Sequence, residues 1–385
     1  MNTRQAELRV RLLALGFDDV RFVRLTAVDG SFLRDWLANG MHADMQWMER
    51  SAAKRLDPQQ VLPGAKSAVL LGVNYWAGAH DARSEPGRPI WARYSRYSDY
   101  HDTLKPALIE TGKILESIYG LSGTDYRYYV DTGPIVERGW AAQAGLGFIG
   151  KNGMLISRSF GNWLFLSAVL TTVELEPDLP IRPNFSGGEK VGLLCGKCTR
   201  CVDACPTGAI TQPGVVDARL CISYQTIENK GVIPRELRTN IGMHLYGCDV
   251  CLEICPWNRF AQESRRVLLV ARDEIARLTM RELLELTPER FAAVFKGTAI
   301  KRVKLAGLLR NTCIVAGNAG AIECIDLLVR LAAHNLAMVR VHAVWAVFTL
   351  VDKTSAANLL AEARAKENAP EVLAEYAWWA DAAAS

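Results

Sequence analysis

Two short stretches rich in cysteine decide how this chain is organised: residues 195–206 read CGKCTRCVDACP, and residues 248–256 read CDVCLEICP. The first has the spacing Cys-x2-Cys-x2-Cys-x3-Cys-Pro, which is typical of bacterial ferredoxins with two [4Fe–4S] clusters. Eight of the ten cysteines lie between Cys195 and Cys255. In a long chain this density indicates bound metal rather than a disulfide framework.

The spacing also predicts which cysteines share a cluster, because in ferredoxins the fourth cysteine of a run crosses to the other cluster. The first predicted ligand set is Cys195, Cys198, Cys201 and Cys255. The second is Cys205, Cys221, Cys248 and Cys251, which leaves none of the eight unused. Two zinc sites are the alternative, since zinc also binds four thiolates. A triple run ending in Cys-Pro is unlike the paired knuckles of zinc ribbons, so clusters are favoured.

Length and charge limit the class of protein. The chain has 385 residues, with 45 Lys and Arg against 41 Asp and Glu. The length predicts two or three domains, and the small net charge permits a polyanionic partner without requiring one. The N-terminus has neither a secretory nor a twin-arginine signal, and no window has about 18 consecutive apolar residues. The sequence therefore predicts a cytoplasmic protein without a membrane span.

Composition divides the chain into three predicted domains, at 1–185, 186–265 and 280–385. The first mixes helical patterns with apolar runs like buried strands, and it ends in a linker rich in proline and glycine at 176–190. The last is rich in alanine and leucine, and a weak internal repeat favours a short helical solenoid over a plain bundle. Its two cysteines, Cys313 and Cys324, lie on apolar helical patterns and are predicted to pack.

Three polar and aromatic stretches precede the cysteines: RYSRYSDYH at 93–101, VDTGPIVER at 130–138 and AGLGFIGKN at 144–152. Each alone could be an ordinary loop, and Asp131 could simply cap a turn. Together with Gly-Cys-Asp-Val-Cys and Cys-Pro-Trp-Asn in the cysteine region, however, they resemble the epoxyqueuosine reductase family. The resemblance covers nearly the whole chain, with small departures. Asn152 stands where many members have histidine, and Phe148 stands where many have tryptophan. Ser98 precedes Asp-Tyr-His, where the family usually has a turn that contains glycine.

The resemblance implies an oxidoreductase that reduces epoxyqueuosine to queuosine at the wobble position of tRNA. It implies cobalamin, supplied with electrons by two [4Fe–4S] clusters and by an external electron donor. The implied fold is α+β: a nitroreductase-like cobalamin-binding domain, a ferredoxin-like two-cluster module and C-terminal HEAT-like helical repeats. Two other classes are weighed: a corrinoid reductive dehalogenase, which would carry a twin-arginine signal, and an iron–sulfur electron carrier without its own substrate.

The resemblance also implies roles for single residues. Asp131 matches the family's proton donor, and burial against the corrin would have to raise its pKa for it to hold a proton near neutral pH. The predicted contacts to cofactor or substrate are Arg55, Asp99, Tyr100, His101, Lys151 and Asn152. Of these, the Asp-Tyr-His triplet is also a candidate for proton supply.

A local basic run is the predicted tRNA contact, formed by Lys296, Lys301, Arg302 and Lys304. A loop that carries these charges would bind phosphates and set the orientation of the RNA. The alternative is a solvated helix face, and the family resemblance favours RNA. Arg310, Arg330 and Arg340 follow on predicted helices. The chain is expected to be a monomer.

Overall fold

The computed structural model of this chain describes residues 3–78, 88–182 and 191–381. Part of the predicted linker, from 183 to 190, lies outside the described residues. The chain forms two compact units, each built from three segments. The first unit contains Met1–His80, Ser98–Arg219 and Asp249–Val270, and the second contains Asp81–Tyr97, Leu220–Cys248 and Ala271–Ser385. Mixed helices and strands give the predicted α+β class.

The strands in the described residues are short except for two. They are β1 Asp19–Arg24, β2 Ser67–Asn74, β3 Ile90–Trp91, β4 Tyr126–Val130, β5 Phe148–Ile149, β6 Leu155–Ile156, β7 Leu164–Thr171, β8 Ile210–Gln212, β9 Val215–Val216 and β10 His244–Tyr246. The apolar runs that the sequence analysis interprets as buried strands are β2 and β7.

Helices connect these strands and make up most of the second unit. They are α1 Thr3–Ala14, α2 Ser31–Ala38, α3 Gln46–Arg50, α4 Ala52–Leu56, α5 Tyr100–Tyr119, α6 Glu137–Gln143, α7 Arg200–Asp203, α8 Ile222–Ile227, α9 Arg235–Ile241, α10 Val250–Glu253, α11 Asp273–Ala276, α12 Met280–Leu284, α13 Pro288–Val294, α14 Lys304–Ala319, α15 Ile325–Leu331, α16 Ala337–Leu350, α17 Lys353–Leu359, α18 Ala361–Ala365 and α19 Pro370–Asp381. None of these helices combines the length and the apolar character that a bilayer crossing requires.

The first unit is built on an antiparallel sheet with the strand order β1-β2-β7-β4. Every residue of β2 is buried, as expected for a central strand covered on both faces. On one face Ala68, Leu70 and Leu170 pack against Trp140 of α6. Side chains alternate along a strand, so the neighbouring positions point to the opposite face, and α1 and α5 contact the edge strands. This packing fixes the loop between β4 and α6.

The second unit is mainly helical and has one continuous hydrophobic core. Its centre is α14, which packs along α16, and α16 also packs against α15 and α19. The repeated stretches found in the sequence lie on α14, α16 and α19. Cys313 and Cys324 are buried in this core, which confirms the prediction that they pack. The strand β10 also contacts α14, so the core extends to the segment that ends at Cys248.

Candidate functional site

The loop between β4 and α6 carries Asp131 at its first position. The residue has φ of 57°, a left-handed conformation that costs energy for a residue other than glycine. Two residues later, a Cβ on Gly133 would come within 2.5 Å of the Tyr129 ring, so the turn requires glycine there. The Asp131 side chain is 63% exposed. The protein therefore presents this carboxylate outward, and the burial that the sequence analysis requires would have to come from a bound cofactor or substrate.

The start of α5 lies next to this carboxylate. The Tyr100 hydroxyl donates a 2.5 Å hydrogen bond to Asp131 Oδ2, and Nε2 of His101 lies 3.8 Å from the same oxygen. The other ring nitrogen of His101, Nδ1, lies 2.8 Å from Oδ1 of Asp99, which also caps the helix by accepting from the His101 backbone N–H. The predicted Asp-Tyr-His triplet is thus assembled around Asp131, in an order that can pass a proton to it.

Arg55 lies beneath the loop instead of facing outward. It is buried, its Nη1 donates to the carbonyl of Ile135 at 2.9 Å, and its Nε donates to Ser51 Oγ at 3.0 Å. The guanidinium also lies over the Trp47 ring. These contacts fix the end of the Asp131 loop. Nε and Nη1 of Arg55 therefore donate within the protein, whereas the sequence analysis predicts that Arg55 contacts the cofactor or the substrate.

Glu137, the first residue of α6, is a site residue to which the sequence analysis gives no role. Its Oε1 is buried and has no hydrogen-bond partner among the described residues. Burial, and to a smaller extent the charge of Asp131, raises the pKa of Glu137 to about 7, against the opposing effects of a hydrogen bond from its own backbone N–H and of the charges of Arg55 and Arg138. The only signal in the sequence was its place in Asp-Thr-Gly-Pro-x-x-Glu-Arg, because burial of a single carboxyl oxygen has no pattern of its own.

Four of the cysteines line one cavity in the first unit, with a volume of about 210 Å³. They are Cys195, Cys198, Cys201 and Cys255, the set that the crossing rule groups together. The short helices α7 and α10, which contain Cys201 and Cys251, pack against each other. Four thiols around one cavity larger than a single ion are a donor set that fits an iron–sulfur cluster.

Lys151 and Asn152 line the same cavity. Nζ of Lys151 donates to the carbonyl of Gly196, within the first cysteine run. Nδ2 of Asn152 donates to Asn162 Oδ1 at 3.0 Å and to the carbonyl of Cys251 at 3.3 Å. The structure therefore places both residues beside the cysteines, although the sequence analysis predicts contacts to cofactor or substrate.

Asn152 is the first of three asparagines whose side-chain amides form a chain of hydrogen bonds. Nδ2 of Asn162 donates to Asn258 Oδ1 at 3.1 Å, and Nδ2 of Asn258 donates to the carbonyl of Leu252 at 2.6 Å. This asparagine chain, Asn152–Asn162–Asn258, holds the backbone of the second cysteine run from two sides. Asn258 belongs to the Cys-Pro-Trp-Asn ending that carries the family resemblance.

The other four cysteines divide between the units. Cys205 and Cys251 belong to the first, and Cys221 and Cys248 belong to the second. The backbone N–H of Ala209 donates to Cys205 Sγ at 3.3 Å, and Nε2 of His244 lies 4.0 Å from Cys248 Sγ. Polar contacts to cysteine sulfur are typical of iron–sulfur ligands, and they adjust the reduction potential of the cluster.

The basic run lies in the second unit. Lys296 is in the turn that follows α13, whereas Lys301 and Arg302 lie on a tight helical turn, Ala299–Val303, and Lys304 is the first residue of α14. Of the four residues, Lys296 alone lies in a loop as predicted. All four side chains, those of Lys296, Lys301, Arg302 and Lys304, are exposed. Lys230, which the sequence analysis omits because it is distant in the chain, is also exposed and donates to the carbonyl of Arg302 at 3.3 Å. Arg310 is not part of this surface, because it is completely buried.

Comparison with known proteins agrees with this geometry. Residues 55–132 match the family described as "Epoxyqueuosine reductase QueG, DUF1730", and residues 194–258 match "4Fe-4S double cluster binding domain". An epoxyqueuosine reductase of Gloeobacter violaceus is 40% identical over 326 residues, which cover 82% of this chain and 96% of the relative. The chain belongs to the epoxyqueuosine reductase family. This confirms the resemblance seen in the sequence and the two-cluster character of the cysteine module.

Solved structures of the family match the same fold. An epoxyqueuosine reductase crystallised with an epoxyqueuosine-modified stem loop of tyrosine tRNA has a TM-score of 0.86 at 30% identity, with 97% of each chain covered. The Bacillus subtilis enzyme has a TM-score of 0.85 at 29% identity and the same coverage. That structure is described as having its aspartate-bearing catalytic loop swung out of the active site.

Proposed function

We propose that this chain reduces epoxyqueuosine to queuosine at the wobble position of tRNA, with Asp131 as the proton donor. The observation that carries the assignment of Asp131 is its place in the structure. An outward-facing carboxylate on a strained loop accepts a hydrogen bond from Tyr100 and lies close to His101. Family membership and the structure of a relative with an epoxyqueuosine-modified stem loop support the substrate.

The overall reaction removes the epoxide oxygen and leaves a carbon–carbon double bond. Two electrons and two protons are consumed, and the oxygen leaves as water. Since opening the epoxide places negative charge on oxygen, a proton delivered there lowers the barrier. Asp131 provides that proton from the exposed side of its carboxyl group. Tyr100 holds the carboxyl group in place, and His101, oriented by Asp99, is positioned to replace the proton.

Two [4Fe–4S] clusters would supply single electrons, drawn from an external donor. The first would be held by Cys195, Cys198, Cys201 and Cys255, which line one cavity. The second would be held by Cys205, Cys221, Cys248 and Cys251, an assignment that rests on their spacing alone. Beside the first cluster, Lys151 fixes the loop of Gly196, and Asn152 fixes the backbone of Cys251.

Cobalamin is the further cofactor that the family resemblance implies, and when bound it would supply a strongly reducing, nucleophilic cobalt centre. Such a cofactor could approach the exposed side of the Asp131 carboxylate, which lies next to Tyr100 and His101. Arg55 and Asn152 fit this role less well, since Nε and Nη1 of Arg55 and Nδ2 of Asn152 already donate to acceptors within the protein. We therefore assign Arg55 to holding the Asp131 loop.

The basic run would bind the tRNA backbone. Its charges are exposed and adjacent, and phosphate contacts of this kind position an RNA without reading its sequence. An anticodon loop also offers unstacked bases, which suits delivery of one modified nucleoside to a protein pocket. A tRNA substrate supports a cytoplasmic location. In finer detail we propose a nitroreductase-like first domain, a ferredoxin-like module, HEAT-like helices and a monomeric enzyme.

Anaerobic purification tests this proposal in one preparation. We expect about eight irons per chain and stoichiometric cobalamin binding. With a chemical reductant and tRNA carrying epoxyqueuosine, nucleoside mass spectrometry should show conversion to queuosine. Clusters and cobalamin without conversion would contradict the substrate assignment. Clusters without affinity for cobalamin would contradict the proposed chemistry and favour an electron carrier.

A further inference from the structure

Among the described residues of the second unit, the most completely buried charge has no role in the proposed reaction. Arg310 lies on α14 and has no exposed surface. Taking a guanidinium out of water is costly unless its donors are all satisfied. In this structure each of its five N–H groups has an acceptor, and the acceptors are neutral.

The acceptors of Arg310 identify what it holds. Nη1 donates to the carbonyls of Asn229 and Gly231 at 2.8 and 2.9 Å. Nη2 donates to the carbonyl of Gln225 at 2.8 Å. These carbonyls belong to the end of α8 and the turn after it, and α8 begins directly after Cys221. The remaining donors bind Oδ1 of the adjacent Asn311.

Asn311 extends the same contacts to the strand before Cys248. Its Nδ2 donates to the carbonyl of Thr226 at 2.8 Å and to that of Leu245, in β10, at 2.9 Å. The hydroxyl of Thr226 accepts the backbone N–H of Gly247 at 2.9 Å. One arginine and one asparagine on α14 therefore bind the backbone segment that follows Cys221 and the segment that precedes Cys248.

We infer that Arg310 and Asn311 are positioning residues for one iron–sulfur cluster: they hold the segments that carry Cys221 and Cys248 in the arrangement that binds the second set of irons. This rests on the proposed function, which assigns both cysteines to one cluster. The helix α14 is then part of the iron–sulfur machinery and not only a support for a tRNA-binding surface. The carbonyls it binds are fixed in place before any metal arrives, which lowers the entropy that cluster binding must overcome.

Iron content and spectroscopy of the full-length protein test the inference. Arg310→Met keeps the apolar stem but removes all five donors, leaving buried carbonyls unsatisfied. We expect it to hold about four irons instead of about eight, with the reduced electron paramagnetic resonance spectrum of one isolated cluster. Arg340→Met is the matched control. Arg340 lies on α16 and binds the carbonyls of His334 and Asn335 as well as Glu367, so its loss perturbs the helical region without touching either cysteine segment.

Milder variants keep the test decisive should Arg310→Met fail to fold. In Asn311→Ala we expect the midpoint potential of one cluster to shift while that of the other stays constant, because only one cluster has ligands on the segments that move. Arg310→Lys, which keeps the charge and part of the hydrogen bonding, should restore part of the iron lost in Arg310→Met.

Three results would overturn the inference. The first is a full complement of iron with unchanged potentials in the Arg310 and Asn311 variants. The second is an equal loss of iron in Arg340→Met, which would mean that any damage to the helical region has this effect. The third is a wild-type protein with clearly fewer than about eight irons, which would refute the two-cluster assignment itself and the inference with it.

Discussion

Asp131 in the first unit and Arg310 in the second are charged groups that the protein treats in opposite ways. Asp131 is 63% exposed and sits on a strained loop, with hydrogen-bonding contact on one side. Arg310 is fully buried, and the protein satisfies each of its donors. The comparison separates two uses of charge. A group left partly open and strained can react, whereas a group enclosed and fully bonded can only hold its surroundings in place.

Asp131→Asn should give the largest effect and the sharpest form of this contrast. The amide keeps the shape of the side chain but removes the acid, so turnover should fall by about 10²–10⁴-fold. Iron content and thermal stability should stay close to wild type, since the exposed carboxyl contributes little to packing. Asp102→Asn, an exposed aspartate in the first turn of the same helix as Tyr100, is the control. Comparable turnover in the two variants would remove Asp131 from the chemistry.

Glu137→Gln tests an acid whose burial lies between that of the exposed Asp131 and that of the fully buried Arg310. Folding raises the pKa of Glu137 from its ordinary value near 4.5 to about 7. The folded state therefore binds the proton more tightly, and the stabilisation is complete below pH 4.5 and lost as pH rises to about 7. Relative to the variant, wild type should lose up to about 3 kcal/mol of unfolding free energy across that window.

Chemical denaturation at a series of pH values measures this difference. The control is Glu110→Gln, which changes a partly exposed glutamate paired with Lys113. Parallel stability curves for Glu137→Gln and wild type would show that the buried carboxyl oxygen does not titrate in this range.

Asn258→Ala tests whether the asparagine chain of the first unit is as important for holding a cluster as Arg310 is in the second unit. The variant loses the bonds to Asn162 and to the carbonyl of Leu252, and it should destabilise the protein by about 1–2 kcal/mol. Because Asn258 is only half-buried, water can replace part of this bonding, so we expect both clusters to remain. Iron content measures this. Loss of a cluster in Asn258→Ala would show that cluster binding depends on the asparagine chain as much as on Arg310.

Lys301→Ala should have the smallest effect. A single exposed phosphate contact accounts for about one unit of the slope of log K against log salt, and affinity for tRNA should fall only a few-fold. Binding titrations at several salt concentrations measure both quantities. Lys353→Ala, an exposed lysine at the start of α17, should leave them unchanged. Equal slopes for wild type and Lys301→Ala would exclude this position from the RNA interface.

The sequence was informative where function depends on spacing within one segment. The cysteine runs, the apolar strands β2 and β7, and the exposed basic run all follow from local pattern. Local pattern did not mark Asp-Tyr-His or Asp131, which were singled out by the family resemblance, and only the fold shows that Tyr100 contacts Asp131.

The sequence could not reveal contacts between distant segments. Arg55 looked like a ligand for a bound cofactor, yet it is the carbonyl of Ile135 that it binds. Arg310 was named beside the basic run because it follows that run on a predicted helix. Arg310 can be buried because backbone carbonyls some eighty residues earlier, in the turn around Asn229, accept its hydrogen bonds. Sequence periodicity cannot predict such a contact between distant segments.

The order of residues along the chain gives the Arg310 contacts a consequence for biosynthesis. A ribosome releases both cysteine runs, and Cys221 between them, before it makes α14. The segment after Cys221 and the segment before Cys248 therefore emerge without the side chains that will hold them. We expect iron delivery to these two cysteines to wait until translation has passed Asn311, so that cells load this cluster after synthesis and not during it.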